Sequence, residues 1–174
     1  MMEKRKNQKR FETLKITENN KTYTVKVYHH KCSLNSINIK LSSGRVYYYK
    51  NRIHRELGPA VEGRYKAGKL GNDFLPYGNI KVWVQNGKIH NDFGPAFKYE
   101  NNGEFLTKYV QNGKLHRING PALIWDDKKD SGEEFYVNGK KLPHEEAKTN
   151  TNRLNRLNWI FDSPEESPFK MLKV

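Results

Sequence analysis

Three histidines stand at one recurring position. His54, His90 and His116 each follow an Ile or Leu, and a Gly-Pro-Ala begins four residues later. Imidazoles in a row suggest a metal centre, but zinc needs ligands converging on one point, and the chain has neither a cysteine pair nor a His-x-x-x-His. Such a ring is better suited to bonding backbone groups left unpaired at the Gly-Pro bend, so a structural role is expected. Cys32 beside His29 and His30 offers a thiol and a base. Adjacent strand residues point to opposite faces, however, and no Asn or Asp stands where it would orient an imidazole, so a partly buried free cysteine is expected. Phosphate-binding glycine loops, Gly-x-Ser-x-Gly and His-Glu-x-x-His are absent. The chain therefore reads as a non-enzyme with no catalytic residue, metal ligand or cofactor site.

A second chemistry open to these residues is the binding of polyanions. Tyr48, Trp83, Tyr109 and Phe135 each stand three residues before an Asn, with Arg55, Lys88, Lys114 and Arg117 nearby. Rings on which bases stack, with cations tracking phosphates, make a single-strand platform. The competing reading, which we favour, makes the rings the core of a chain with few other residues to bury. Lys4, Arg5, Lys6, Lys9 and Arg10 form a basic arm suited to phosphate contacts or an acidic protein partner. The 32 Lys and Arg exceed the 19 Asp and Glu to give a net charge of +13. The excess is uneven: residues 1–44 carry ten basic and three acidic side chains, and residues 144–174 five of each.

The elements that position these residues come from a repeat. Asn86-Gly87, Asn112-Gly113 and Asn138-Gly139 are spaced by 26 and 26 residues, and the Gly-Pro-Ala motifs around Pro59, Pro95 and Pro121 by 36 and 26. The first unit's extra ten residues, around KAGKLGNDFLPYGN, suggest a surface loop. Asn-Gly between alternating apolar residues is a strong short hairpin signal, because it supplies positive φ at both centres of a type I′ turn. Proline cannot donate to a strand ladder, so Gly-Pro marks a bend and a return strand starts after it: AVEGRY, AFKY, ALIW. The first unit has Asn51-Arg52 where the others have Asn-Gly-Lys, which reads as one residue shorter and as a different turn.

Around the repeats, TYTVKVYHH and SINIKL alternate as two strands. Pro143 with Glu145 and Glu146 opens a helix over 143–160, with Ala147, Leu154, Leu157 and Phe161 on one face; such a helix caps the apolar end of an array. The expected organisation is a basic arm over 1–12, N-terminal strands over 13–44, hairpin repeats over 45–143 and a helical cap over 144–174. The fold class is mainly β, an antiparallel hairpin-repeat sheet or solenoid-like array with a C-terminal capping helix. Whether the strands close into a barrel or stay open is undecided at this level. Mean hydropathy is −0.97 and no apolar run approaches the 18 or so residues of a spanning helix, so membrane insertion is not expected. The first ten residues lack a signal-peptide apolar region, and one cysteine makes no internal disulfide, so an intracellular setting is expected.

The units NGKIHNDFGPAF and NGKLHRINGPALIW resemble the short hairpin repeat abundant in proteins of large DNA viruses and some bacteriophages, with its aromatic strand, Asn-Gly-Lys, His-Arg and Gly-Pro-Ala. The likeness covers residues 45–143. The units are also similar, more distantly, to MORN-type repeats, although the glycine-rich core usual there is absent. The resemblance implies a non-enzymatic repeat scaffold of viral type and carries over no catalytic residue; the long, regular surface of such an array suits it to binding another protein, in a virus particle or as a virus-encoded factor acting on a host protein. Two other readings stay open: a nucleic-acid-binding module using the arm and a basic sheet face, and an inhibitor of a host defence enzyme. Exposed strand edges also invite pairing between copies.

Overall fold

The computed structural model describes residues 11–70, 73–143 and 145. β1 (Phe11–Glu18) and β2 (Lys21–Tyr28) are joined by Asn19-Asn20, with φ of 46° and 57°, so the chain opens on a type I′ hairpin. β3 (Cys32–Leu34) and a 3-10 turn, Asn35–Ile37, lead into β4 (Ile39–Tyr49), which pairs with β2, β3, β5 (Arg52–Ile53) and β6 (Val61–Tyr65). β7 (Gly68–Leu70) and β8 (Asp73–Leu75) pair with each other, so the segment expected as a loop carries a small hairpin. The chain continues through β9 (Gly78–Val82), β10 (Val84–Gln85), β11 (Lys88–Ile89), β12 (Phe97–Asn101), β13 (Glu104–Lys108), β14 (Val110–Gln111), β15 (Lys114–Leu115), β16 (Leu123–Asp126), β17 (Ser131–Glu134), β18 (Tyr136–Val137) and β19 (Lys140–Lys141).

The protein is mainly β and antiparallel. Among the described residues the principal sheet runs β1-β2-β4-β6-β9-β12-β13-β16-β17 and is open, with β1 and β17 at its edges. Period-two alternation sorts its faces. Val46, Val61, Val82 and Phe97 lie opposite one another across four strands and are buried, while the neighbouring register carries Arg45, Glu62, Lys81 and Lys98 on the other face. Gly44 and Gly63 face each other where β4 and β6 approach closely: a Cβ on Gly63 would lie 2.3 Å from the Ser43 carbonyl oxygen. Short hairpins, β10–β11, β14–β15 and β18–β19, branch from every second strand of the sheet, after β9, β13 and β17, and β5 with the end of β4 makes another. Their apolar residues Ile53, Val84 and Val110 are buried.

The element boundaries and the first unit also differ from the sequence expectation. β1 begins within the segment assigned to the arm, and β4 crosses the boundary placed at residue 44, because Ser42-Ser43-Gly44 is a register shift inside a strand and not a linker. The first unit is also no shorter than the others. Lys50 and Asn51, with φ of 47° and 62°, occupy the two turn places that Asn-Gly fills elsewhere. Aligning Asn51 with the other turn asparagines shifts the aromatic register by one, so Tyr47, not Tyr48, is the counterpart of Trp83, Tyr109 and Phe135: each of the first three donates its N–H to the Ala of its own Gly-Pro-Ala, at 2.7–2.8 Å. Residues 1–10 and the helix expected over 143–160, apart from Pro143 and Glu145, lie outside the described residues.

Candidate functional site

The three histidines connect one unit to the next. The Nδ1 of His54 accepts the N–H of Asn86 at 3.0 Å, that of His90 the N–H of Asn112 at 3.1 Å, and that of His116 the N–H of Asn138 at 3.1 Å. The backbone group each ring satisfies therefore belongs to the following Asn-Gly turn, 22 or 32 residues on, and not to the Gly-Pro bend. Two further bonds repeat beside it. Gly87, Gly113 and Gly139 donate N–H to Ile53, Ile89 and Leu115, and the residues after the histidines, Arg55, Asn91 and Arg117, donate N–H to Val84, Val110 and Tyr136. Acceptance at Nδ1 leaves the ring proton on Nε2, where His90 meets Asp92 at 3.0 Å. Burial, above all, holds His54 below the ordinary imidazole value, with Glu56 opposing that shift and Lys21 adding to it. In β18–β19, the last hairpin among the described residues, Leu142 stands in the histidine place and Pro143 in the place after it.

Arg55 and Arg117, expected as contacts for an anion, are engaged within the fold. The Arg55 guanidinium lies 4.0 Å from the Tyr47 ring centroid and that of Arg117 3.8 Å from Tyr109. Each also closes its own loop by donating to the carbonyl of Pro59 or Pro121, and Asn91 does the same to Pro95 at 3.0 Å. Arg55 further binds Glu18 through two bonds, of 2.7 and 3.1 Å, which hold that carboxyl below its usual range. The ring faces of Tyr47 and Tyr109 are thus covered by the chain's own cations. Arg55→Ala removes the stack, the loop clip and the Glu18 pair together. It should cost about 2 kcal/mol, the scale of charge-assisted hydrogen bonds, read as a lower urea midpoint.

Lys88 and Lys114 remain exposed, each just after its turn, and the corrected register adds Arg52 and Lys140 at the same place in their hairpins. Sequence reasoning missed these two: Arg52 because of the one-residue misalignment, Lys140 because the last unit is truncated. Cys32 sits half-buried in β3 opposite Leu41, and burial raises its thiol, the reverse of what a nucleophile needs. His29 meets Glu12 instead, at 3.2 Å. Among the described residues no three His, Cys, Asp or Glu side chains converge as a metal set.

No family model, curated protein or solved structure matches the chain. Among the described residues no helix is long and apolar enough to cross a membrane.

Two concave surfaces lie beside these residues. A groove of about 470 Å³ separates the loop at Asn91–Pro95 from that at His116–Asn119. A larger one, of about 660 Å³, lies along the C-terminal half of the apolar sheet face, lined by Tyr99, Leu106, Leu115, Leu123, Trp125 and Tyr136. Each loop before Gly-Pro-Ala carries an exposed large apolar side chain: Leu57 is 58% exposed, Ile118 56% and Phe93 100%.

Proposed function

We propose that the chain is a non-enzymatic scaffold whose stacked hairpin units form one solenoid-like array and whose loop row binds another protein. The observation that carries this reading is Phe93. Its side chain is wholly exposed, yet the loop bearing it is clipped at both ends by one residue: Asn91 Oδ1 accepts the Phe93 N–H at 3.2 Å, and Asn91 Nδ2 donates to Pro95. A large apolar side chain on a pre-ordered loop is the form that interface anchors take, because little conformational entropy is lost on binding. Leu57 and Ile118 flank it in the neighbouring loops, and the 470 Å³ groove between Phe93 and Ile118 gives a partner a concave surface to fill. The resemblance of the units to those of large DNA viruses and bacteriophages supports a partner in a virus particle or in the infected host cell.

The double variant F93S/I118S alters only exposed positions, so its melting temperature should stay near that of the wild type. Affinity purification of both forms from cells producing the full chain is the test. A protein recovered in fixed stoichiometry with the wild type and lost with the variant supports the scaffold. Identical recovery with both sinks it.

A further inference from the structure

The turns form a second surface that the loop row does not use. Arg52, Lys88, Lys114 and Lys140 occupy one equivalent position in four successive hairpins, all four are exposed, and among the described residues none makes an ion pair or a side-chain hydrogen bond. Each turn sits directly on the hairpin before it, through the bonds from Gly87, Gly113 and Gly139, and a Cβ on Gly139 would lie 3.6 Å from the Lys114 side chain. The cations therefore follow one another along a ridge. One step spans two strands, or about 10 Å, and three steps about 30 Å. The turn residues between them, Asn51, Asn86-Gly87, Asn112-Gly113 and Asn138-Gly139, include no acid, and Lys50 adds a further positive charge at the first turn. Three carboxylates near these cations in sequence are engaged by other groups: Glu56 by Lys21, Asp92 by His90, and Glu134 by Lys141 and Tyr136.

We propose that this ridge of turns binds the phosphate backbone of single-stranded nucleic acid, with Arg52, Lys88, Lys114 and Lys140 as its contacts. A row of point cations on a polar surface recognises a linear polyanion without reading its sequence. The backbone of a duplex winds away from a row of this length, whereas a single strand is flexible enough to follow it. Arg55 and Arg117 occupy a face of Tyr47 and of Tyr109, and contacts made by the ridge to phosphates alone carry no information about base identity.

The test is binding of the full chain to a fluorescent oligo-dT across a salt series, beside K88E/K114E and beside a variant with Lys4, Arg5, Lys6, Lys9 and Arg10 changed to Gln. Four phosphate contacts contribute a log-log salt slope of about −3, roughly a 50-fold loss of affinity between 50 and 200 mM salt. K88E/K114E is expected to keep its melting temperature, bind at least about tenfold more weakly and lose about 1.4 from the slope. Oligo-dA should bind as oligo-dT does. Wild-type affinity in K88E/K114E, or loss only in the arm variant, overturns the proposal. Equal affinity for polyglutamate of matched charge also overturns it, assigning the ridge to an acidic polypeptide.

Discussion

Gly63→Ala is expected to lower the melting temperature by about 6–12 °C. The added methyl group would sit 2.3 Å from the Ser43 carbonyl oxygen and 2.7 Å from the Gly44 Cα, both backbone atoms of the neighbouring strand, so no side-chain rotation relieves the clash. Overpacking against movable neighbours already costs about 1–3 kcal/mol, and forcing β4 away from β6 puts the cost near about 3 kcal/mol. For a chain of this size each kcal/mol is worth about 2–4 °C. Gly113→Ala is the useful contrast. Its φ is +80° but nothing lies within 4 Å of the new methyl group, so it reports conformational strain alone, about 1 kcal/mol. Thermal melts that rank the two equally would show that the close approach of β4 and β6 is not a constraint on the fold.

The second large effect lies in the histidines. Removing the acceptors with H54L/H90L leaves the N–H groups of Asn86 and Asn112 without their ring partners, at about 1–2 kcal/mol each, so the double variant should lose about 2–4 kcal/mol. Asn carries a carboxamide oxygen close to where Nδ1 stands, so H54N/H90N should recover much of the loss. Acid acts on the same bond. Burial keeps His54 below the ordinary imidazole value of 6.5, so the folded state favours the neutral ring. The stability this contributes is complete above about pH 6.5 and is lost as the pH falls through the lowered folded value. Urea midpoints measured from pH 8 to pH 5 should therefore fall for the wild type and fall less for H54N. Parallel curves would separate the His54 bond from the acid response.

The β class, the turns at Asn86, Asn112 and Asn138 and the strands after each Gly-Pro-Ala were legible in the sequence, because Asn-Gly and Gly-Pro act locally on φ and on donor supply. The first unit was misread for the same reason. Lys50 is a poor candidate for positive φ, and only the bonds of Tyr47 to Ala60 and His54 reveal that Lys50-Asn51 replaces Asn-Gly. Asn102-Gly103 went unread as a turn because it is out of step with the 26-residue period, yet its φ values of 48° and 86° make it the same device at the opposite end of the sheet. What joins one unit to the next was invisible. Nothing local tells His90 that its acceptor nitrogen will meet Asn112, or that Arg117 will lie on Tyr109 instead of facing solvent.

The substitutions at Leu142 and Pro143 bear on how such a chain changes length. Each junction needs an imidazole acceptor from one unit, an N–H from the residue after it, and the turn of the next unit, all supplied by two neighbours and by nothing farther away. A middle unit is therefore interchangeable in register: a duplicated copy of residues 84–109 would find the same partners on both sides that the original finds. The last hairpin among the described residues, β18–β19, offers neither group, since leucine has no acceptor and proline no N–H. The same three bonds cannot be made from Leu142 and Pro143 to a further hairpin, because the ring acceptor and the N–H after it are both missing there.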